Sequence, residues 1–569
     1  MDNAASFTIA EPTTEPHTTR RDKNRGRLFI NSADLPDTAE QLRDHMATLP
    51  HVFDRGVPVR LDYDQRAGGM MAFPLNTDGV VRLAHRVVQP WKFMTVGGAM
   101  EQIDTTLPDR VARLYIDMRG EWNLRPLNGI ACAPLLRAGG AIAAAEGYDI
   151  TTGMFSERVP DMSGLPVVPT RAEAVAALLV LRERFKTFPF ADSSMVTVPG
   201  YASPVVDTAR APGADESAFL AGLLTAICRP SLSLAPGLLL RAAPMSGAGA
   251  GKGLLARCIC AVAFGRPPHA VTGGSTAEEL EKRIAAELIG GGPVLFLDNL
   301  NAQAFKSDLL ASAITERPAR VRLLGKSEMV PLNATAFVVL TGNGLSVSED
   351  LARRFLMVEL DPRSEDPEAR PFDGDILAEV AAQRPALLAA ALIVWRWGQL
   401  EPQPGGRPMG SFIDWSQWVR DPLLALGCID PAARVGEAKA RDTRRQAVAD
   451  MFAAWAHYHG ESPVAAARLN EDVRAIADPQ GRGRQFLSSY LEKLAGTRIA
   501  GFVLTRQAAA GQWGAATFRL QKTDAGAERH RDHRDHRGGE DDAETPMPPM
   551  PPMPMPGEDA NWLENEVVL

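Results

Sequence analysis

The sequence predicts an α/β protein. Its core is a parallel sheet, with an N-terminal mixed α/β module before it and a C-terminal module of helices and a hairpin after it. Three observations predict this. Apolar runs without polar alternation ("GLLLRAAP", "PVLFLDNL", "AFVVLTGN") alternate with helical patterns. Strands apolar on both faces belong to a parallel sheet covered on both sides. A glycine-rich turn, "SGAGAGKG", separates the first of these strands from a helix, and two short helical patterns precede a hairpin pattern near the C-terminus.

Composition bounds the reading. A chain of 569 residues suits several domains, and 45% apolar with 23% charged residues is ordinary for a soluble globular protein. Five cysteines show no C-x-x-C pair and no histidine at zinc spacing, and Cys258 and Cys260 lie in an apolar helical run. Reduced core thiols are expected. An N-terminal apolar segment of the secretory type and an apolar stretch of bilayer length are both missing, so a cytoplasmic protein without a membrane partner is expected. The net charge of −8 arises in the tail, where eight acidic residues lie between Glu540 and Glu566 with no Lys or Arg. The remaining body is balanced, which leaves room for a local basic surface that binds nucleic acid.

The elements follow in order. Residues 1–26 are polar and Thr/Arg-rich and are expected to be disordered. Residues 27–200 form the mixed module, with strand-like "RLFI", "PVRLDY" and "LYIDMRG" and helical "DTAEQLRDHMATL" and "RAEAVAALLVLRERF". Within "LYIDMRG" Asp117 stands alone, and no paired carboxylates of a primase or polymerase metal site are expected at that segment. Residues 201–365 hold the core: helix "ESAFLAGLLTAIC", strand, glycine loop, helix "KGLLARCICAVAF", then helix "TAEELEKRIAAELI" with a Thr start signal and an acidic first turn. Residues 366–462 read as a helical lid and connector. Residues 463–522 read as a winged helix, whose Arg482, Arg484, Lys493 and Arg506 suit either DNA or protein contacts. Residues 523–569 are an acidic, Pro/Met-rich tail that cannot build a core. Its end, "NWLENEVVL", reads as a featureless tail or as a docking peptide for a partner. His530, His533 and His536 recur at spacing three, as a solvated charged tail or a metal-binding tract.

The chemistry centres on the glycine loop. Anion binding needs backbone N–H groups crowded at a helix N-terminus and a cation reaching in. Ser246, Gly247, Ala248, Gly249, Ala250, Gly251, Lys252, Gly253 and Leu254 supply this pattern, with Lys252 placed for the β/γ-phosphates. Asp298 ends an apolar strand, where a carboxylate holds Mg²⁺ through water. Asn343 ends the next, where an amide touches the γ-phosphate and the attacking water. Arg353 and Arg354 close a short helix, where arginines can reach a neighbouring subunit's nucleotide. Each alone has a plain structural reading: a glycine turn, a strand-end turn, a solvated basic helix end. Four together in this order do not.

Lys252, Asp298, "TGNG" and "DLARRF" resemble the ATPase core of phage-type and poxvirus-type primase–helicases, related to superfamily 3 helicases of the AAA+ class. "RPLNGIACAPLLR", "GYDITTGMF" and "GSFIDWSQWVRDPLLALGC" are also similar to segments flanking that core in ATP-binding proteins of phages and integrative elements. The resemblance covers roughly residues 27–520. It implies a P-loop AAA+-like sheet and a homo-hexameric ring with ATP and Mg²⁺ as cofactors. Such a ring hydrolyses ATP between subunits and moves along single-stranded or forked DNA in the replication of a mobile element, inside a bacterial host cell. It implies a channel hairpin in "ARVRLLGKSEMVPLNATAF", with Lys326 near the tip and Arg320 and Arg322 beside it, on DNA phosphates. A replication protein is a candidate partner of the C-terminal tail. Two residues depart from the pattern. Gly253 removes the hydroxyl that ligates Mg²⁺, and Asn299 stands where a glutamate polarises water. Asn299 and Asn343 can still orient water, and Glu316 and Glu328 are candidate substitute bases. Two other functions stay open: an ATP-binding structural switch or loader with weak hydrolysis, and an initiator module that reads an origin.

Overall fold

The computed structural model describes residues 25–243, 248–272, 276–300, 305–323, 328–369, 374–401, 403–406, 409–432, 434, 443–507 and 516–523. The segments expected to be disordered at the two ends fall almost wholly outside these residues, as do Ser246, Gly247 and Lys326. The chain forms two compact units, one through Arg445 and one from Gln446.

The first unit opens on a small sheet of Gly26–Phe29, Val88–Val96 and Ala99–Asp104. Helices Leu35–Met46, Thr77–Val87 and Asp109–Asp117 bury Leu42, Leu83, Val111 and Tyr115 against Leu28 and Val88. The strand expected in "LYIDMRG" is therefore a helix up to Asp117. Its buried Val111, Ala112 and Tyr115 are spaced for one helical face, and that face outweighs the local β-propensity of "LYI". A second sheet, Gly69–Pro74, Pro58–Asp64, Val52–Asp54 and Arg125–Pro126, sends Phe53, Val59 and Leu61 into the main core.

The main core surrounds a five-stranded sheet: β1 (Gly237–Ala242), β2 (Ala270–Thr272), β3 (Val294–Asp298), β4 (Phe337–Asn343) and β5 (Phe355–Leu360). Its order is β2-β3-β4-β1-β5, and every neighbouring pair is parallel. Leu238–Leu240, Leu295–Leu297 and Val339–Leu340 are all buried. Each such side chain contributes roughly 1.5–3 kcal/mol on burial. Helices α1 (Ala214–Cys228), α2 (Lys252–Phe264) and α3 (Ala277–Gly290) pack on the sheet, and α4 (Asp308–Thr315) packs beside α3. Register sets the geometry of the site: Ala242 pairs with Asn343, and Leu297 with Leu340. The ends of β1, β3 and β4 thus lie along one edge.

Arg55 ties the second N-terminal sheet to α3. Its buried guanidinium donates to the carbonyls of Leu288 (2.7 Å), Ile289 (2.8 Å) and Leu127 (2.9 Å). The first two are end-of-helix acceptors with no partner inside the helix. Burial pulls the Arg55 pKa down to about 10.

Helices Ile376–Ala382 and Arg384–Leu400 follow, bent by 71° at Gln383. Pro385 in the first turn of the second helix has no N–H for a continuous ladder. Val380, Leu387, Leu388 and Trp395 from this pair are buried in the main core. Among the described residues, no single helix is long and apolar enough to cross a membrane.

The second unit has helices Glu471–Ala477 and Arg484–Leu494 and a four-stranded sheet. Its order is Val464–Ala465, Thr517–Lys522, Phe502–Gln507, Arg498–Ile499, all pairs antiparallel. Its core also takes Val448, Met451, Phe452 and Trp455, spaced for one face of the helix Thr443–Tyr458. The unit therefore starts upstream of residue 463, where the winged helix was expected to begin.

Candidate functional site

The glycine loop lies between β1 and α2, and its described part runs from Ala248. Gly249 and Gly251 have φ of +70° and +92°, a region L side chains seldom adopt. At Gly249 a Cβ would also come within 2.9 Å of the Glu368 backbone nitrogen, so the loop passes tightly under residue 368. Gly251 turns the chain into α2, whose first residue is Lys252. Ala248, Ala250, Gly253 and the neighbouring Leu254 complete the described cradle.

Lys252, Asp298 and Asn343 come together. The Lys252 ammonium donates to Asn343 Oδ1 at 2.5 Å. Burial lowers its pKa, while Asp298 pulls the other way. Asp298 Oδ1 accepts from the Thr341 hydroxyl at 2.5 Å, and the same hydroxyl oxygen accepts the Asn299 backbone N–H at 3.0 Å. Asn299 is exposed, at φ +56°, a conformation asparagine tolerates better than most residues. Gly342 is required by close approach, since a Cβ there would meet the Leu300 carbonyl oxygen at 2.2 Å. These residues, with Ala248 to Gly253, line an open cleft of about 530 Å³. That size lies within the usual range for small-molecule sites, about 300–1,000 Å³.

Two participants were missed by sequence reasoning. Thr341 anchors both Asp298 and Asn299, and its only signal was its place in "TGNG". Arg257 points its Nη2 at Asp298 Oδ2, 3.4 Å away. Its signal was the helical spacing of four from Gly253, the position lacking a side chain. Lys252 and Arg257 around Asp298 leave the cleft with excess positive charge, suited to an anion.

The remaining candidates lie elsewhere. Arg353 and Arg354 precede β5, whose first residue Phe355 pairs with Gly237 at the start of β1. The Gly237 N–H donates to the Arg354 carbonyl at 2.9 Å. Both arginines are thus at the opposite edge of the sheet from Lys252. Arg353 is 58% exposed and pairs with Asp350 at 2.5 Å, whereas Arg354 is only 14% exposed. Arg354 is held by the Asp350 carboxylate, the Asp350 carbonyl (2.7 Å) and Thr315 Oγ1 (3.3 Å). Burial alone would raise the Asp350 pKa, but pairing with Arg354 and Arg353 leaves it lowered. Arg320 and Arg322 lie on an antiparallel hairpin, Ala319–Arg322 with Met329–Leu332, and face outward while Val321, Val330 and Leu332 are buried. Glu316 accepts from the Ser312 hydroxyl at 2.6 Å, and Glu328 pairs with Arg119. Neither lines the cleft. Among the described residues no three His, Cys, Asp or Glu groups cluster as a metal site.

No protein-family model and no curated protein matches the sequence. Among solved structures, the chain is similar to the C-terminal region of NrS-1 in its A-form apo structure. The TM-score is 0.34 at 10% identity, covering 81% of this chain and 96% of that one. It is also similar to Cch of SCCmec type IV, described as an active helicase. There the TM-score is 0.24 at 11% identity, covering 86% and 89%. Function therefore rests on the site.

Proposed function

We propose that this chain is an ATPase that drives a helicase or translocase along DNA in replication, with ATP bound in the cleft above α2. The observation that carries the reading is the convergence of a glycine loop, Lys252, Asp298 and Asn343 around one cleft at the C-terminal edge of a parallel sheet. That edge is where open α/β sheets bind ligands. The N–H groups at the start of α2 and the Lys252 ammonium suit a triphosphate. Asn343, bonded to Lys252, would orient a water at the γ-phosphate. A divalent cation, when bound, draws charge from the phosphates. Asp298 is the one carboxylate among the described lining residues to hold it, and Gly253 adds no hydroxyl.

In the proposed ring, a homo-hexamer, Arg353 reaches the nucleotide of an adjacent copy, and Arg320, Arg322 and Lys326 contact DNA phosphates. A replication protein on the acidic tail and a bacterial cytoplasmic setting belong to the same proposal. The test is ATP turnover by the purified protein with and without single-stranded DNA, together with the mass of the assembly. DNA-stimulated turnover that survives in Lys252→Ala would sink the site assignment.

One observation favours a second reading, an ATP-bound switch or loader. Asn299 occupies the position of the expected base, and no second carboxylate lines the described cleft. An amide cannot take a proton from water. Tight ATP binding without DNA-stimulated turnover selects this reading.

A further inference from the structure

The phosphate reading leaves one side chain of the site without a role. Arg257 lies one helical turn beyond Gly253 in α2. Helical side chains lean toward the N-terminus, so its guanidinium is carried back toward the loop. It ends 3.4 Å from Asp298 Oδ2 and 5.6 Å from the centre of the Phe296 ring, and it stays 37% exposed. A Cβ on Gly253 would come within 2.8 Å of Arg257 Nη1 and 3.6 Å of Asp298 Oδ1. The guanidinium therefore fills the space beside Asp298 that a side chain at 253 would take.

In a loop that ends in Ser or Thr, that space holds the hydroxyl that ligates Mg²⁺. Magnesium demands near-ideal octahedral geometry and gives up its waters reluctantly. Here the space holds a fixed positive charge, and the carboxylate is already engaged by Arg257 and Thr341. We infer that Arg257 replaces the missing hydroxyl and part of the metal's charge, so that the cleft binds triphosphates with little dependence on a divalent cation. The inference rests on the phosphate reading of this cleft. A guanidinium has five N–H donors in a planar fork that matches phosphate oxygens. One edge can stay on Asp298 while the other turns to an incoming phosphate, and the exposure of the group permits that turn. Gly253 and Arg257 then form one device: the glycine makes room and the arginine uses it.

The experiment is equilibrium binding of ATP to the full-length protein by calorimetry, once in EDTA and once in excess magnesium chloride. Wild-type dissociation constants should agree within about threefold between the two buffers. Arg257→Ala should weaken binding in EDTA by roughly 10- to 100-fold, the worth of a charge-assisted contact, and much less in magnesium. Gly253→Thr pushes aside the flexible end of Arg257 and should also make binding depend on magnesium. Thermal unfolding of both variants checks that they are folded. Wild-type binding that collapses in EDTA, or an equal loss in both buffers for Arg257→Ala, overturns the inference while the phosphate reading stands. Unchanged binding in Lys252→Ala overturns the phosphate reading itself.

Discussion

The two edges of the central sheet carry opposite kinds of polar chemistry. At the C-terminal edge, polar groups partner one another within the chain: Lys252 with Asn343, Thr341 with Asp298, Arg257 with Asp298. At the N-terminal edge, Arg353 projects outward, and the arginine hairpin immediately precedes β4. The edges are about 17 Å apart, the length of a six-residue strand. No arginine of the second edge can serve the first within the same chain. In the proposed function the first edge works as a site by itself, and the second becomes one only against another molecule. Loss of a residue at the first edge should therefore show in a lone chain, and loss at the second only in an assembly or on DNA.

The largest expected effect is at the first edge. Lys252→Ala should remove ATP turnover and weaken ATP binding at least 100-fold, with the unfolding temperature within a few degrees of wild type. Filter-binding and phosphate-release assays check it.

Arg353→Ala should behave differently. Turnover should fall roughly 10³-fold if Arg353 acts across a subunit boundary as proposed, while ATP affinity stays within about threefold. Mixing the Lys252→Ala and Arg353→Ala proteins should restore part of the activity, because each supplies the edge the other lacks. No recovery on mixing breaks the comparison. Arg354→Ala should instead cost stability, about 0.5–1.5 kcal/mol, because the largely buried guanidinium loses its bonds to the Asp350 carbonyl and the Thr315 hydroxyl. Denaturant unfolding distinguishes the two arginines.

The strands and helices around the first edge were legible because their signals are local. β1, β3 and β4 are built on the apolar runs Leu238–Leu240, Val294–Leu297 and Phe337–Leu340, and α2 and α3 begin and end on glycine or threonine signals. Lys252, Asp298 and Asn343 could be placed because each ends or follows such a run. Arg257 was not legible, since its meaning depends on the empty Cβ position at Gly253 and on the direction a helical side chain leans. Thr341 was hidden for a similar reason: its hydroxyl matters only because β3 and β4 are neighbours in register. "LYIDMRG" misled because its strand-like composition covers only half of a helix whose buried face begins at Val111.

A smaller effect is expected from the hairpin. Arg320→Ala and Arg322→Ala should each lower the salt dependence of single-strand binding by a slope of about one, with only few-fold losses of affinity at low salt. ATP turnover without DNA should not change. Titrations at three salt concentrations check this, and an equal slope in both variants and wild type removes the hairpin from the DNA surface.

The smallest expected effect returns to the first edge and asks whether it responds to pH while the second does not. Asp215 in α1 is fully buried, accepts the Glu359 backbone N–H at 2.9 Å, and faces Arg434 at 2.9 Å with Asp192 and Glu359 nearby. Burial is the main cause that pushes its pKa up to about 7, and Asp192 adds to it. A carboxyl whose folded pKa exceeds its unfolded value near 3.9 binds more protons when folded. Its contribution to stability is therefore complete below about pH 4 and is lost as pH rises toward 7. Between pH 5 and pH 7.5 the unfolding temperature of the wild type should fall by roughly 2 °C, the size expected for about 2 kcal/mol in a protein this large. Asp215→Asn, which cannot ionise, should flatten that slope, and Arg353→Ala should leave it unchanged. A slope that persists in Asp215→Asn would assign the pH response to other groups and remove this distinction between the edges.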